Sequence, residues 1–315
     1  MSPGSKNREA VRGLGGLAGR ESCLRARAKI IQSVRSFFIG RGYLEVETPN
    51  LIRSPTPEIH IDAVSADDGF MHTSPELCMK RMLSAGYSKI FQVCKCYRNG
   101  ERGNRHLPEF TLLEWYRSGA DYKDLMDECE VLIFHVARDL ELGDKIDYMG
   151  RTVELKGPWM RISVHEAFGL FSTVDVEEAI AGDNFDDIMI SNIEPMLYQP
   201  SFLYDYPASR ASLARLKEND PNLAERFEFY IGGMELANAF SELTDVHEQE
   251  ERFIGDRNAR KALGKKEYPF PDGFIRDLEE MPASAGIAFG IDRLVMLLTG
   301  KTRIDDVVSF TPEEV

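Results

Sequence analysis

Residues Phe91–Arg117, FQVCKCYRNGERGNRHLPEFTLLEWYR, decide how this chain is read. In the first half Gln92, Cys94, Cys96 and Arg98 alternate with Phe91, Val93 and Tyr97. In the second half Phe110, Leu112, Glu114 and Tyr116 alternate with Thr111, Leu113, Trp115 and Arg117. A period of two with aromatic and β-branched enrichment predicts two strands. The connection Asn99–Pro108 carries Glu101, Arg102, Arg105 and His106. It is too long and too cationic for a two-residue hairpin turn, and long loops inside compact domains are usually functional. Arginine forks match phosphate oxygens, and Phe110, entering the second strand, offers a ring face to a purine. Taken alone, the stretch is equally well described as a hairpin with a solvated charged tip.

The chain has 315 residues, 43% hydrophobic and 29% charged. That is ordinary for a soluble globular protein and suffices for one large domain or two medium ones. No apolar run approaches the ~20 residues of a membrane helix, so no membrane partner is expected. Residues 1–22 are rich in Gly, Ser and Arg and lack the apolar core of a signal peptide, which predicts a flexible tail. The five cysteines are Cys23, Cys78, Cys94, Cys96 and Cys129. Cys94 and Cys96 are too close for a standard zinc pair and no second pair completes a site. All five are therefore expected to be reduced thiols in a cytoplasmic protein. The net charge of −14 argues against a broad nucleic-acid surface while leaving room for a local basic site.

Leu24–Gly40 has helical spacing of apolar residues, ended by Gly40 and Gly42. Tyr43–Pro49 reads as a short strand stopped by proline, and Ile59–Val64 and Phe70–His72 as two more. Thr73–Leu83 starts like a capped helix, with Pro75 and Glu76 in its first turn. Glu76 is either part of that helix start or a carboxylate aimed at a substrate ammonium. Tyr122–Leu140 is helical, Trp159–Val164 a strand leading into a helix, Asp175–Ile190 an acidic helical lid or insertion, and Phe202–Tyr206 a strand ended by Pro207.

Two further stretches carry chemistry. In Phe227–Leu243, Asn238, Phe240 and Glu242 share strand parity and Glu235 does not. Both carboxylates reach one site only if the strand breaks or bulges between them. Carboxylates beside a triphosphate suit Mg²⁺, a hard ion that prefers oxygen. In Gly286–Leu298 a strand turns at Gly290 into a helix with Arg293 in its first turn. A cation there opposes the helix dipole, which an anion above it would explain.

Together these stretches resemble the three signature motifs of class II aminoacyl-tRNA synthetases. The likeness covers about Leu24 to Pro312. Motif 1 corresponds to the first helix with Gly42–Pro49, motif 2 to Tyr97–Glu114 and motif 3 to GIAFGIDR. TSPEL, PEFTLLEWY and GMELANAFSEL are similar to the lysyl branch. The resemblance implies an α+β fold, an antiparallel six-stranded sheet flanked by helices, and a homodimer through motif 1. The catalytic domain is expected over 23–315, with no N-terminal anticodon-binding domain. That absence and the acidic balance argue against tRNA as acceptor. They point to the stand-alone lysyl paralogues that modify elongation factor P with lysine or (R)-β-lysine, and Ala237 and Ala288, where lysyl enzymes usually have Gly, point the same way.

By position the resemblance implies ATP and Mg²⁺ and assigns roles. Arg98 and Arg293 are catalytic, on the α-phosphate and the far end of the triphosphate. Asn99, Gly100, His106, Leu107, Phe110, Glu235, Leu236 and Gly290 complete the ATP site. Ser74, Pro75, Glu76, Glu114, Tyr116, Asn238, Glu242 and Ala288 form the amino-acid pocket, and Glu235 and Glu242 hold the metal. Three carboxylates suit a substrate with two ammonium groups, because a desolvated charge needs a partner. Motif 2 departs from the usual Arg-x-Glu in reading Arg98-Asn-Gly-Glu101. Ala239 replaces a usual Gly, which would cost roughly 1 kcal/mol if φ there were positive. A lysyl-tRNA synthetase fragment with another acceptor and a non-catalytic amino-acid sensor are the competing readings.

Overall fold

A computed structural model describes residues 14–315. Its main sheet contains β1 (Leu44–Glu45), β2 (Lys89–Tyr97), β3 (Glu109–Ser118), β4 (Met160–Ser163), β5 (Ser201–Pro207), β6 (Asp220–Ile231), β7 (Met234–Ser241) and β8 (Ser284–Gly290). The hydrogen-bonded path is β1-β2-β3-β8-β7-β6-β5-β4. From β2 to β5 along that path every pairing is antiparallel. Short β1 and β4 join the two ends in parallel. The inner six strands are thus the antiparallel sheet that the motifs implied.

One face of the sheet is apolar. Phe91, Leu113, Trp115, Phe229 and Phe289 pack there with Phe37 and Phe38 of α1 (Glu21–Gly40) and with Leu125, Cys129 and Ile133 of α3 (Tyr122–Asp139). Burying each large side chain contributes about 1.5–3 kcal/mol, so this layer holds the sheet rigid from behind. α3 starts at a capping box in which Asp121 accepts from the Lys123 and Asp124 amides and Asp124 answers. On the opposite face α2 (Glu76–Ser84) packs beside Tyr116 of β3, while α4 (Ile291–Leu298), buried in the apolar layer beside α1, brings the polar groups of its first turn to the end of β8.

The β6–β7 turn uses Gly232 and Gly233, with φ of +65° and +63°, values suited to glycine in a two-residue hairpin. Just after it Phe229 faces Ala237 but Tyr230 faces Glu235, so Leu236 is an extra residue. This bulge returns Glu235 to the face of Asn238 and Phe240, as the parity argument required. Ala239 is an ordinary buried strand residue without positive φ, so it carries no strain.

Four expectations are corrected. Of the tail expected over 1–22, residues 1–13 lie outside the described residues, and the remainder is helical from Leu14 to Gly19 and again from Glu21. Arg20 between them is 4% exposed and held by Glu314 at 2.8 Å. Only Leu44 and Glu45 of Tyr43–Pro49 form a strand. Ile59–Val64 forms none, because the buried Arg260 guanidinium takes the Glu58 and Ile61 carbonyls at 2.6 and 3.0 Å. The segment Asp175–Ile190 is helical and lines no part of the cavity described below, which removes the lid and leaves the insertion. Val176, Ala179, Phe185 and Met189 build a separate small core with Phe168, Leu203 and Tyr230 beside β4 and β5.

Candidate active site

Register aligns Gln92, Glu114, Ala288, Asn238 and Glu228 in one row across five strands on the polar face. A cavity of about 210 Å³ lies over this row. Its two ends differ in charge.

The floor is anionic and buried. Ser74 Oγ donates to Glu114 at 2.5 Å, and Tyr116 OH donates to the other Glu114 oxygen at 3.0 Å. Lys80 Nζ lies 2.6 Å from Glu76 and 2.5 Å from Glu242, with all three side chains largely withdrawn from water. Burial opposes the Lys80 charge, but Glu242 and Glu76 outweigh it and hold the ammonium above the ordinary lysine range. Burial pushes the Glu242 carboxyl up to about 7 against the pull of Lys80. Glu114 is raised well above the carboxylate range by burial and by Glu76. Gly286 permits this packing: a β-carbon there would collide with the Tyr116 ring and Glu242 Oε1.

The rim is cationic. Arg98 leans over the Phe110 ring at 4.9 Å and stands 3.7 Å from Glu101. Its buried Nε has no partner among the described residues. Arg293 donates to the Glu235 carbonyl at 2.7 Å and faces the Glu235 carboxylate at 3.3 Å. Its other amino group reaches His106 Nε2 at 2.7 Å. Burial, Arg293 and Arg98 push the His106 imidazole down to about 4, so at neutral pH it is uncharged and accepts from Arg293. Arg105 is tied to the Gly233 carbonyl at 2.8 Å. Asp292 anchors the start of α4 to β3: it accepts from the Thr111 amide at 2.7 Å and pairs with Arg27 of α1.

Of the residues expected here, Ser74, Glu76, Arg98, His106, Leu107, Phe110, Glu114, Tyr116, Glu235, Leu236, Asn238, Ala288, Gly290 and Arg293 line the cavity. Pro75 is at the N-terminus of α2. Asn99 and Gly100 sit in the loop beyond the lining, with the Asn99 amide on the Asp62 carbonyl at 2.6 Å. Glu242 lies under the floor, continuing the ladder from β7 through its amide to the Ser284 carbonyl at 2.9 Å. The structure does not bring the expected metal pair together. Glu235 and Glu242 are seven residues apart along one strand, on the order of 20 Å at the usual rise. Each already faces its own cation, Arg293 and Lys80. The carboxylates that raise Glu194 are instead Glu228 and Glu235, which makes Glu194, Glu228 and Glu235 the oxygen-rich group at this end.

Sequence reasoning missed Lys80, although its spacing of four from Glu76 on a helix was a readable signal. It also missed Glu58, which lines the cavity and is pushed up to about 7 by burial; no local pattern marks it.

The family model described as tRNA synthetases class II (D, K and N) matches residues 18–314. A relative from Proteus mirabilis named elongation factor P–(R)-β-lysine ligase is 39% identical over 90% of this chain and 93% of its own length. One of the same name from Vibrio atlanticus is 37% identical over 91% and 94%. A lysine–tRNA ligase from Pelotomaculum thermopropionicum is 38% identical over 90% of this chain but 62% of its own length.

Proposed function

The chain belongs to the class II (D, K and N) tRNA synthetases, and from that premise we propose that it adenylates lysine or (R)-β-lysine and transfers it to a lysine side chain of elongation factor P. It is an ATP-using ligase of that family, related along nearly its whole length to the elongation factor P–(R)-β-lysine ligases. The observation that carries the proposal is the split polarity of the cavity. One end offers buried carboxylates to ammonium groups; the other offers Arg98, with an unpartnered buried Nε, to an anion.

In the first step a carboxylate oxygen of the amino acid attacks the α-phosphorus of ATP, the bond to the β-phosphate breaks, and pyrophosphate leaves. Arg98 stabilises the charge that develops on the α-phosphate. Phe110, with Leu107, Leu236 and Gly290, lines the adenosine path, the loop of Asn99 and Gly100 flanks it from beyond the lining, and His106 and Arg293 take the outer phosphates. Ser74, Pro75, Glu76, Glu114, Tyr116, Asn238, Glu242 and Ala288 shape the amino-acid end and hold its ammonium groups. In the second step the acceptor amine attacks the acyl carbon, AMP leaves, and the amine nitrogen loses a proton. Positioning supplies much of the acceleration.

Glu235, Glu228 and Glu194 would hold a Mg²⁺ ion as oxygen donors: burial and Glu228 raise the Glu235 carboxyl, and burial, Glu228 and Glu235 raise that of Glu194. When bound, the ion neutralises phosphate charge. The catalytic unit is proposed to span 23–315 and to pair as a homodimer through motif 1, where Ile39, Leu44 and Leu51 are 59%, 50% and 51% exposed. Among the described residues no helix is long and apolar enough to cross a membrane.

The test is mass spectrometry of elongation factor P incubated with this protein, ATP, Mg²⁺ and either lysine isomer. A gain of one lysyl residue on one lysine, abolished by Arg98→Ala, is expected. Amino-acid-dependent pyrophosphate release without that gain would remove elongation factor P as acceptor. Aminoacylation of tRNA would then favour the reading suggested by the lysine–tRNA ligase relative. No pyrophosphate release with either isomer would overturn the enzyme assignment.

A further inference from the structure

One group of soft ligands lies outside the machinery above. Cys94 and Cys96 are two apart on β2, facing Leu112 and Phe110 of β3, so both thiols project from the same face of the sheet as Glu114. His72, distant in sequence, is brought to them by the Tyr97 amide, which donates to the His72 carbonyl at 3.0 Å. The two Sγ atoms are 3.9 Å apart, and Cys96 Sγ is 3.9 Å from His72 Nε2. All three ligand atoms fall within 4.8 Å of one another, and among the described residues no other group of three or more His, Cys, Asp or Glu, the Glu194, Glu228 and Glu235 group included, is so close-set.

These spacings match a metal. With Zn–S near 2.3 Å and Zn–N near 2.0 Å, tetrahedral angles require about 3.7 Å between sulfurs and about 3.5 Å from sulfur to nitrogen. Two of the three separations are therefore within a few tenths of an ångström of ligating distances, and the third lies within 4.8 Å. Ligation costs the imidazole its hydrogen bond to the Lys95 carbonyl, which the bond to the metal replaces. Nε2 is 2.6 Å from the Lys95 carbonyl, while buried Nδ1 has no partner among the described residues. Moving the proton from Nε2 to Nδ1 leaves Nε2 as a lone-pair donor. Two thiolates cancel a divalent charge, which suits a site where His72 and Cys96 are 1% and 0% exposed.

We propose that His72, Cys94 and Cys96 form a site for one Zn²⁺ ion, with a fourth position left open. The sequence spacing alone excluded zinc because the third ligand comes from a different segment. On binding, both sulfur–hydrogen bonds are replaced by sulfur–zinc bonds, the two thiol protons pass to solvent, and no atom changes oxidation state. The assignment is independent of the ligase reading, since it uses no residue given a role there.

The test uses the full-length protein with Mg²⁺ in excess, so that carboxylate sites are filled, and Co²⁺ as a spectroscopic substitute for Zn²⁺. One equivalent of Co²⁺ is expected to give a near-ultraviolet thiolate charge-transfer band. Zn²⁺ should displace it, and Cys96→Ser should abolish it. Absence of the band, or a band unchanged in Cys96→Ser, would overturn the site. Wild-type protein provides a second reading should the variant misfold. One equivalent of Zn²⁺ should protect Cys94 from alkylation, located by peptide mass spectrometry, while half-buried Cys78 reacts as before. Unprotected Cys94 would refute the proposal.

Discussion

At the floor of the cavity Glu76, Glu242 and Lys80 hold one another and Glu114 is held by Ser74 and Tyr116, all of them withdrawn from water. At the rim Arg98, Arg105, His106 and Arg293 come from a loop and one helix turn and lean on carbonyls, an aromatic ring and each other. The floor carries three carboxyls and one internal ammonium, and a diammonium substrate would draw the raised Glu114 and Glu242 carboxyls into their charged forms. The rim is an incomplete anion site, with a buried Arg98 Nε still lacking a partner. The difference teaches that stability and chemistry are divided between the two ends. Damage to the floor should appear first in folding, and damage to the rim first in rate.

The largest expected effect is at the floor. Lys80→Met removes the cation shared by Glu76 and Glu242 and leaves like charges buried together. Breaking a buried pair from one side costs about 3–5 kcal/mol, read as a lower denaturant midpoint. Adding Glu242→Gln should restore part of the loss, because the uncompensated charge goes with it. An unchanged midpoint in the single variant would show that Lys80 does not hold the floor.

The rim counterpart is Arg98→Ala. Removing a preorganised transition-state donor typically costs about 10²–10³ in kcat. Amino-acid-dependent pyrophosphate exchange should fall by that order while the unfolding midpoint stays near wild type. A large loss of stability with little loss of rate would invert the comparison. A smaller effect tests how tightly the floor is packed. Gly286→Ala places a methyl group against Tyr116 and Glu242, and overpacking of this kind costs about 1–3 kcal/mol. The amino-acid KM should rise with the destabilisation, since both partners belong to the floor.

The two regions also differed in how far they could be read from sequence. Strand parity placed Phe110 on one face with Glu114, and Asn238 on one face with Phe240, and the demand for a bulge near Glu235 was met at Leu236. These follow from a period of two and need no tertiary knowledge. Pairing partners chosen by the fold were harder. Lys80 serves Glu242, which is 162 residues away, and Arg260 replaces the strand expected at Ile59–Val64 by taking its carbonyls. The expected Mg²⁺ pair failed for a metric reason: the bulge at Leu236 puts Glu235 and Glu242 on one face, but the rise per residue keeps them at opposite ends of it. The segment 175–190 looked like a lid because its acidic residues are prominent, whereas Val176, Phe185 and Met189 tie it to a core of its own.

The smallest effect separates floor from rim by pH. Burial raises the Glu242 carboxyl to about 7, so between the ordinary carboxylate range and pH 7 the folded state binds more protons than the unfolded one. Stability contributed by this group therefore increases as pH falls through that window. His106 acts in the opposite sense. Its imidazole is pushed down to about 4, below the unfolded value of about 6.5, so its contribution is lost as pH falls between those values. The two slopes offset one another in global unfolding, but substrate binding sees mainly the floor. Amino-acid ammonium groups remain charged throughout, whereas a protonated Glu242 no longer attracts them. The amino-acid KM in pyrophosphate exchange should rise as pH drops below 7, by up to about tenfold per unit for one coupled proton. Glu242→Gln should flatten the profile, while His106→Asn should leave its slope and change only the pH dependence of unfolding. A KM constant from pH 8 to pH 6 in wild type would mean that Lys80 keeps Glu242 ionised throughout, and that the floor meets its substrate with its charge already fixed.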